Sequence, residues 1–357
     1  MKFVHIADMH FDTPFTLLSN KEELGELRRL EQRKAFKKMI EYIQENQIPY
    51  LWIAGDLYNQ EYIRESTIEY INGLFKEIPD TSIFITPGNH DPYLKNSYYA
   101  TYPWNENVKI FTNHVEKIET PEADIYGFGF DDFYCYKSEV ENIQIENPEK
   151  INILITHASL DASFSEDKNY HAISSRKLKA LGFDYIALGH IHKRNLSVEN
   201  QKIVYPGSTI SLGFDELGKH GMLVGEVTKE KIEVEFIPLD EKEFVEQPLE
   251  IEKYKTIEEL VEGIRELPIE ENKLYKIKLI GNRNFEVPLY KIEKMIEQKN
   301  IIKIKDETTL GYCLEDMAND VTLKGIFIKE MQKKLQEDTQ KKEMIEKAIE
   351  IGIEILS

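Results

Sequence analysis

Cysteine is scarce in this chain, with two residues among 357, Cys135 and Cys313. The two are isolated, so there is no C-x-x-C spacing for a structural zinc ribbon and no set of cysteines for a disulfide framework. Two unpaired cysteines are typical of a protein in a reducing compartment. Any metal site in this chain is therefore expected to use nitrogen and oxygen ligands.

Long hydrophobic runs and an excess of basic residues are also lacking. No apolar stretch approaches the length needed to span a bilayer, and the chain opens on an apolar strand instead of a cleavable signal segment, which predicts a cytoplasmic protein without membrane contact. The formal net charge is −19, and acidic residues outnumber basic ones both in 1–242 and in 243–357. Extended electrostatic binding of duplex DNA is disfavoured, because Lys and Arg supply most of the non-specific affinity.

Five short apolar runs in the first two hundred residues are each followed by residues that bind metals. β-Branched and aromatic residues dominate the runs and turn residues bound them, which predicts buried strands. Loops that leave the carboxyl ends of neighbouring strands converge in layered α/β proteins, so we expect the clusters to meet. The runs and their clusters are Phe3 to Ala7 with Asp8-Met9-His10, Tyr50 to Ala54 with Gly55-Asp56, Ser82 to Thr86 with Gly88-Asn89-His90-Asp91, Ile151 to Thr156 with His157, and Phe183 to Leu188 with Gly189-His190-Ile191-His192.

These clusters offer more ligands than one metal ion needs. Imidazole nitrogen and carboxylate oxygen suit Mn²⁺, Fe²⁺ and Zn²⁺. Two ions about 3.5–4 Å apart suit phosphoester chemistry, because they hold the attacking water and a phosphate oxygen and lower the pKa of that water. Such a pair needs a bridging carboxylate, and Asp56 is the natural candidate. The predicted ligands are Asp8, His10, Asp56, Asn89, His157, His190 and His192.

Each cluster taken alone also has a purely structural explanation. An Asp at the end of a strand is often an Asx turn or a helix N-cap, and Asn-His-Asp is common in turns. The chain has nine histidines, however, and five of them fall inside the clusters, which favours a metal site. Of the others, His5 is predicted to be a strand residue, and His114, His171 and His220 are predicted to lie at the surface or in turns.

The order of these clusters resembles the signature of the calcineurin-like metallophosphoesterases over about residues 1–240. The motifs in that order are D-x-H, G-D, G-N-H-D, a lone H and G-H-x-H. The resemblance implies an α/β (α+β) fold, a four-layer β-sandwich core flanked by helices. Asn59 departs from the pattern, since many relatives have Asp at this position, which is not a ligand. The roles implied are Asp8, His10, Asp56 and His192 around one metal, Asp56, Asn89, His157 and His190 around the other, His90 beside the scissile phosphate to protonate the leaving oxygen or stabilise the transition state, and Asp91 as the residue that orients His90 through a hydrogen bond.

Two further strings narrow the resemblance within the family. The chain start through Phe15 and the segment Val204 to Ser208 resemble DNA-repair exonucleases of the SbcD type, with the start closest to their YhaO type. This resemblance implies a nuclease, which could be an exonuclease or an endonuclease, with two divalent metal ions. Manganese is the expected metal, and iron and zinc are the alternatives. A strand ending in a Pro-Gly turn is the structural alternative for Val204 to Ser208. A small-molecule phosphodiesterase or phosphatase, which the acidic charge favours, and a non-catalytic scaffold are the competing functions.

Three segments are predicted along the chain. Residues 1–242 form the phosphoesterase domain and end in a hairpin from Met222 to Pro238. Residues 243–312 form a small α/β module that, by resemblance, caps the active site and presents DNA, the alternative being a simple extension of the core. The module's periodicity predicts a helix over 256–267, a strand over 274–280, a helix over 287–298 and a strand over 301–305.

The last segment, 313–357, is predicted to form two short amphipathic helices separated by a polar break from Gln336 to Lys342. Their apolar stripes pack either on the chain's own core or into a groove of another protein. By resemblance, that partner is an SMC-like ATPase of the YhaN or SbcC type, and a homodimer is left open.

Aromatic and basic residues near the clusters have two explanations each. The stretch from Tyr93 to Trp104 either packs a loop against the core or stacks on an unpaired base, with Tyr98 and Tyr99 as the stacking candidates. The pair Lys193-Arg194 and the group Arg176, Lys177 and Lys179 either face phosphate or form a solvated surface.

Overall fold

The computed structural model describes residues 1–15, 22–161, 170–197, 200–310, 317–319, 321–337 and 342–356. The chain divides into two compact units, Met1–Phe244 and Val245–Ser357. Cys135 carries a free thiol, whereas Cys313 lies outside the described residues. Within those ranges, no helix combines the length and the apolarity needed to cross a membrane.

The first unit alternates strands and helices along the chain. Its strands are β1 Lys2–Ile6, β2 Tyr50–Ala54, β3 Ser82–Thr86, β4 Val108–Ile110, β5 Glu116–Glu119, β6 Ala123–Phe128, β7 Ile151–His157, β8 Ser159–Leu160, β9 Ala172–Ile173, β10 Tyr185–Gly189, β11 Ile203–Val204, β12 Gly221–Val227 and β13 Ile232–Pro238. Its helices are α1 Glu22–Asn46, α2 Glu65–Phe75, α3 Tyr98–Thr101 and α4 Ser175–Ala180, with a 3₁₀ turn at Val140–Asn142.

Two sheets organise this unit. The six-stranded sheet has the order β13-β12-β1-β2-β3-β4, in which β1 to β4 are parallel and β12 is antiparallel to β1 and β13. The five-stranded sheet has the order β11-β10-β7-β6-β5, and only β5 runs antiparallel to its neighbour. The five strands predicted before the metal-binding clusters are confirmed as β1, β2, β3, β7 and β10, and the predicted hairpin is β12 and β13.

The two sheets share one apolar core, which makes them a sandwich. Phe3 and Trp52 of the six-stranded sheet stack with ring centroids 4.1 Å apart, and Tyr185 of the five-stranded sheet lies 4.8 Å from Phe3. Ile153 of β7 belongs to the same buried cluster. Strands buried on both faces need continuous apolar runs, which is why these segments lack the alternating pattern of a half-exposed strand.

Helices cover the outer faces of the sandwich. On the five-stranded sheet, Leu154 and Ile186 pack with Leu178 of α4 in a second buried cluster. Helix α1 buries Phe36 and Ile40, which are four residues apart and therefore on one side of the helix. The fold is thus a mixed α/β fold in which helices flank a β-sandwich, as predicted.

The second unit contains a small sheet, two short helices and a helical pair. Residues of α5 and α6 pack on β15 and β17, which are parallel, and the predicted order of helix, strand, helix and strand is confirmed. The strands are β14 Glu243–Glu250, which begins in the first unit, β15 Lys273–Ile280, β16 Asn282–Arg283, β17 Ile301–Asp306 and β18 Thr309–Leu310. The helices are α5 Ile257–Arg265, α6 Leu289–Met295, α7 Leu323–Glu337 and α8 Lys342–Leu356, with a 3₁₀ turn at Ile251–Lys253.

Helices α7 and α8 pack against each other. Ile328 of α7 is buried with Ile345, Ile349 and Ile353 of α8, which recur at the spacing of one helix face. The two predicted amphipathic helices are therefore confirmed, and part of each apolar stripe is buried within the pair.

A buried ion pair ties α1 to the segment that follows β13. The Arg28 guanidinium donates to both carboxylate oxygens of Asp240 at 2.9 Å and to the Ser211 carbonyl at 2.8 Å. The side chains of Arg28 and Asp240 are 2% and 0% exposed. Removing Arg28 leaves the Asp240 carboxylate buried with the main-chain amides of Ser211 and Lys242 but without this positive charge.

We expect Arg28→Ala to lower the free energy of unfolding by about 3–5 kcal/mol, the usual cost of breaking a buried ion pair. Lys38→Ala is the matched control, because Lys38 joins the same helix to Glu241 through an exposed pair. An exposed pair contributes at most about 1 kcal/mol. Urea denaturation of both variants measures the difference, and equal losses would contradict the assignment.

Candidate metal centre

All five clusters follow the carboxyl ends of parallel strands. Asp8 follows β1, Asp56 follows β2 and Asn89 follows β3 in the six-stranded sheet, whereas His157 ends β7 and His190 follows β10 in the five-stranded sheet. The main chain joins the first two loops, since the Asp8 amide donates to the Gly55 carbonyl at 3.1 Å. The predicted convergence is therefore present, and the two sheets contribute jointly to one site.

The chain leaves these strands through left-handed backbone conformations. The φ angles are 51° at Asp8, 49° at His10, 53° at Asp56 and 101° at His190. For residues with a side chain this region costs about 1–2 kcal/mol, although Asp tolerates it better than most. Strain of this kind concentrates at functional sites, where the surrounding structure maintains it.

Glycine is required where the clusters approach each other most closely. A Cβ on Gly88 would lie 2.2 Å from Asp56 Oδ1, and a Cβ on Gly189 would lie 1.8 Å from the Ala54 carbonyl oxygen. Neither contact is sterically possible, so the glycines of G-N-H-D and G-H-x-H let the loops of neighbouring strands come together.

Three histidines are fixed in the same tautomer by their Nδ1 atoms. In each case the Nδ1 proton is donated to a protein oxygen, so Nε2 is the atom that a cation would bind, once any proton on it has left. The pairs are His10 with Asn59 Oδ1 at 2.9 Å, His157 with the Ala54 carbonyl at 2.9 Å, and His192 with Glu216 Oε1 at 2.5 Å.

The Nε2 atoms of His10 and His157 converge on one carboxylate oxygen. Asp56 Oδ2 lies 3.3 Å from His157 Nε2 and 3.6 Å from His10 Nε2. His192 Nε2 lies 3.2 Å from His10 Nε2, and Asn89 Oδ1 lies 3.0 Å from His157 Nε2. Asp56 therefore stands between two groups of ligands, the position that a bridging carboxylate requires.

The donor set fits divalent cations that prefer nitrogen and oxygen ligands. Ligand atoms of Asp8, His10 and His192 lie within 4.8 Å of one another, and so do those of Asp8, Asp56 and His157. The ring of His190 lies beside them, 5.2 Å from the ring of His157. All seven predicted ligands are thus brought together, while their division between two ions stays a prediction.

The pKa values of several side chains in the site are shifted, because its carboxylates are buried and their negative charge is balanced by too little positive charge. Burial opposes protonation of His157, but the charge of Asp56 and a hydrogen bond to it raise the pKa of His157 to about 9. Burial likewise opposes protonation of His192, whose hydrogen bond to Glu216 raises its pKa to about 9. Burial raises the pKa of Asp8 to about 6. A bound cation would supply the positive charge that these protons now provide.

His90 lies at the edge of the centre with its side chain exposed. One of its ring nitrogens is within 4.8 Å of ligand atoms of His10 and Asp56, and its ring meets the His10 ring edge-on at 4.8 Å. Its main-chain amide donates to Asp56 Oδ1 at 2.8 Å. This position suits a group that contacts a substrate bound at the metals.

The role predicted for Asp91 is wrong. A carboxylate offers about four acceptor positions, and all of them are used by groups other than the His90 ring. Burial, followed by the charge of Asp56, raises the pKa of Asp91 to about 7. Asp91 therefore organises the turns that carry Asp56 and Gly88 and does not orient His90. Its donors are the amides of Asp56 at 3.0 Å, Leu57 at 2.7 Å and Gly88 at 2.6 Å, and the Tyr99 hydroxyl at 2.6 Å.

The stacking alternative for Tyr99 is also wrong, because Tyr99 is buried and bonded to Asp91. Its ring packs 4.9 Å from Tyr58 and 6.1 Å from Trp104. Trp104 in turn donates its indole proton to the Tyr98 carbonyl. This aromatic stretch packs a loop against the core, the simpler of the two explanations.

Two histidines predicted at the surface or in turns have buried side chains, although His171 does lie in a turn. His171 is 1% exposed, and its Nδ1 lies 2.8 Å from the His157 carbonyl. His220 is 7% exposed and hydrogen-bonds to main-chain carbonyls of Ser208 and Glu216. His114 is exposed, as predicted.

Sequence reasoning missed Glu216, which receives the His192 proton and also accepts from the Ser208 hydroxyl at 2.6 Å. It lies 24 residues beyond His192 in a loop without a recognisable motif, so no local signal marked it. In the sequence Asn59 is only a departure from a family pattern, whereas in the structure its side chain accepts the His10 proton.

We expect Asn59→Ala to weaken metal binding by about 10- to 100-fold, because loss of a partner that orients a ligand histidine has effects of this size. Asn59→Asp should retain binding, since the carboxylate still accepts the His10 proton. Isothermal titration with Mn²⁺ measures both. Asn105→Ala is the control, as its amide bonds to Asn72 in α2. Unchanged affinity in Asn59→Ala would contradict this role.

A cleft of about 600 Å³ opens beside the centre. It reaches the predicted ligand Asn89 and His90, and most of its other lining is aromatic or uncharged and polar. The lining residues are Thr13, Pro14, Asn59, Gln60, Glu61, Tyr62, Asn89, His90, Phe133, Tyr134 and Tyr170.

Comparison with protein families matches residues 1–194 to the calcineurin-like phosphoesterases. The chain is similar to YhaO of Bacillus subtilis (strain 168), described as an uncharacterized metallophosphoesterase, with 30% identity over 246 residues. That alignment covers 66% of this chain and 60% of YhaO.

Two solved structures are also similar. One is TT1561 of Thermus thermophilus, with a TM-score of 0.37 and 10% identity, and the other is a dimetal phosphatase from Danio rerio, with a TM-score of 0.39 and 8% identity. Each alignment covers 66% of this chain and 98% of the other protein.

Proposed function

This chain belongs to the calcineurin-like phosphoesterases, a family of metal-dependent hydrolases of phosphoesters, and we propose that it is a DNA nuclease. One observation carries the hydrolytic part of the proposal: the Nε2 atoms of His10 and His157 converge on a single oxygen of Asp56. Two divalent cations, when bound, supply a polarised phosphate and a water of lowered pKa. Mn²⁺ is the proposed metal, since the ligands are imidazoles and oxygens without thiolate.

The protein's own contribution is to fix the ligands and to place His90 at the open side. Hydrogen bonds to Asn59, Ala54 and Glu216 hold the imidazoles of His10, His157 and His192. The Nε2 atoms of His10 and His157 then face Asp56, and that of His192 faces Asp8 at 3.8 Å. The exposed His90 ring, packed edge-on against His10, is in position to give a proton to the leaving oxygen or to stabilise its charge.

Two observations support DNA as the substrate. One is the resemblance to SbcD-type exonucleases, and the other is the position of one of the segments that carry this resemblance. The segment from Val204 to Ser208 lies against a predicted ligand, because a Cβ on Gly207 would be 2.7 Å from the His192 carbonyl oxygen. Ser208 also bonds to Glu216, the partner of His192. The string is therefore part of the site's support. That residues 243–312 present DNA to this site stays a prediction.

A small phosphodiester is the second candidate, favoured by charge. No Lys or Arg is among the described residues that line the cleft. Two of the five basic residues considered for phosphate contact have other partners: the Arg194 guanidinium lies 3.6 Å over the Phe236 ring, and Lys177 pairs with Glu141.

The test is incubation of the purified protein with labelled single- and double-stranded DNA and with bis-p-nitrophenyl phosphate, in Mn²⁺ or in EDTA. The proposal expects DNA cleavage in Mn²⁺ and none in EDTA. Hydrolysis of the chromogenic ester alone would favour the second candidate. Absence of both activities would leave only a scaffold and would overturn the proposal.

We further propose that α7 and α8 bind an SMC-like ATPase. Apolar side chains remain exposed on this pair, including Ile326 at 57% and Ile355 at 76%. Replacing both by Asp should abolish co-purification with the ATPase, because each would place a charge in an apolar contact. Lys333→Ala, an exposed change on α7, is the control. Undiminished binding by the double variant, or by a chain lacking 313–357, would refute the assignment.

A further inference from the structure

Three tyrosines form a stacked row that ends at a predicted metal ligand, and we call them the tyrosine ladder. The rings of Tyr136 and Tyr134 are 6.1 Å apart with 18° between their planes, and those of Tyr134 and Tyr170 are 5.7 Å apart with 26°. Tyr170 then lies 5.3 Å from the ring of His190. The row therefore runs from the surface to the metal centre.

The outer rungs of the ladder are exposed, whereas aromatic residues such as Trp52 and Tyr185 in the same unit are fully buried. Tyr136 is 71% exposed and Tyr134 is 47% exposed. Tyr134 and Tyr170 line the cleft that also contains His90. Neighbouring exposed rings beside a catalytic cleft mark a binding surface more often than a packing defect.

Main-chain pairing holds the ladder in place. Cys135, between the two outer tyrosines, pairs with Tyr170 in a β-bridge, and its carbonyl accepts the His171 amide at 2.9 Å. The buried His171 side chain in turn bonds to the His157 carbonyl and to the Ser138 hydroxyl. The segment that carries the ladder is thus attached to a metal ligand through His171, so the rings do not depend on substrate for their arrangement.

The described lining of the cleft offers no basic side chain to a nucleotide. Its described lining contains one carboxylate, Glu61, and neither Lys nor Arg. Ion pairs with neighbouring phosphates are therefore not provided there, and a net charge of −19 adds no general attraction. Stacking of a base on an aromatic ring needs no charge and tolerates any base.

We propose that the tyrosine ladder is a stacking subsite for the nucleobase of the nucleotide at the scissile phosphate. This rests on the proposed function and gives it a substrate class, an unpaired strand end, since a base within a duplex has no free face to place on a tyrosine. Bound metals would hold the phosphate and the ladder would hold the base, with the sugar in the cleft that Tyr134 and Tyr170 line.

The first experiment compares thymidine 5′-(p-nitrophenyl phosphate) with methyl p-nitrophenyl phosphate, which differ only in the nucleoside. We expect the wild type to prefer the nucleoside ester in kcat/KM. Tyr134→Ala and Tyr136→Ala should reduce that preference by roughly 10- to 100-fold, the range for loss of one base-stacking ring. Tyr134→Phe and Tyr136→Phe should retain it. Tyr290→Ala is the matched control, because Tyr290 is 70% exposed in the second unit.

The second experiment uses single-stranded oligonucleotides whose terminal residue is normal or abasic. Faster cleavage of the normal end, with the difference lost in Tyr136→Ala, supports both the subsite and the nuclease. Equal cleavage of the two ends by the wild type, with DNA still degraded, overturns the subsite and leaves the nuclease intact.

Two further outcomes would count against the nuclease proposal. One outcome is that DNA is not cleaved, while the wild type prefers the nucleoside ester and Tyr136→Ala removes that preference. This result would refute the nuclease proposal and support the nucleotide subsite. If wild type shows no preference for the nucleoside ester and no DNA cleavage, both fall.

Discussion

Asp56→Ala should lower kcat/KM for phosphodiester hydrolysis by at least about a thousandfold and should leave the protein unable to hold two metal ions. The reason is geometric. Asp56 Oδ2 is the one oxygen within 3.6 Å of the Nε2 atoms of both His10 and His157, so no other described side chain can take its place between the two groups of ligands. Metal content per chain and steady-state kinetics with bis-p-nitrophenyl phosphate measure the two effects.

Asp124→Asn is the control for this change. Asp124 is a buried carboxylate in β6, paired with Lys150, and lies near the amino end of its strand instead of the carboxyl end where the site forms. It should retain metal and activity. An Asp56→Ala protein that still carries two ions per chain would show that the bridge lies elsewhere.

His90→Ala should retain both metals yet lower turnover by about 10²- to 10⁴-fold, the usual contribution of a proton donor or acceptor in the transition state. The ring is exposed at the edge of the centre and does not tie the ligands together, so its removal should spare the metal shells. The loss should be larger for DNA than for bis-p-nitrophenyl phosphate, because p-nitrophenolate leaves without needing a proton.

His114→Ala is the matched control, since His114 is an exposed histidine whose nearest charged partner is Glu139. It should leave both activities unchanged. If His90→Ala instead releases metal, His90 is a ligand, and if it keeps full turnover, it has no part in the chemistry.

The sequence predicted the framework of the site because the relevant signals are local. Apolar runs of five or six residues fixed β1, β2, β3, β7 and β10, and the residues that end them became neighbours because parallel strands present their carboxyl ends together. The period of the apolar residues placed α5, α6, α7 and α8 in the same way.

What the sequence did not predict depends on contacts between distant segments. Asp91 lies beside His90 in sequence, yet its four acceptor positions are filled by Asp56, Leu57, Gly88 and Tyr99. Glu216 carries no motif, and His171 is buried by elements that are not adjacent to it in the chain. The tyrosine ladder was missed for the same reason, since Tyr134 and Tyr170 meet only through the fold.

Because both sheets carry predicted ligands, a bound cation would join the two layers of the sandwich. Resistance to heat and to denaturant then depends on the free metal concentration, with a gain of about 2.7 kcal/mol when that concentration is a hundred times Kd. Removal of the metal by a chelator would first destabilise the contacts between the two sheets. A cell short of the metal would therefore lose some of the folded protein as well as its activity.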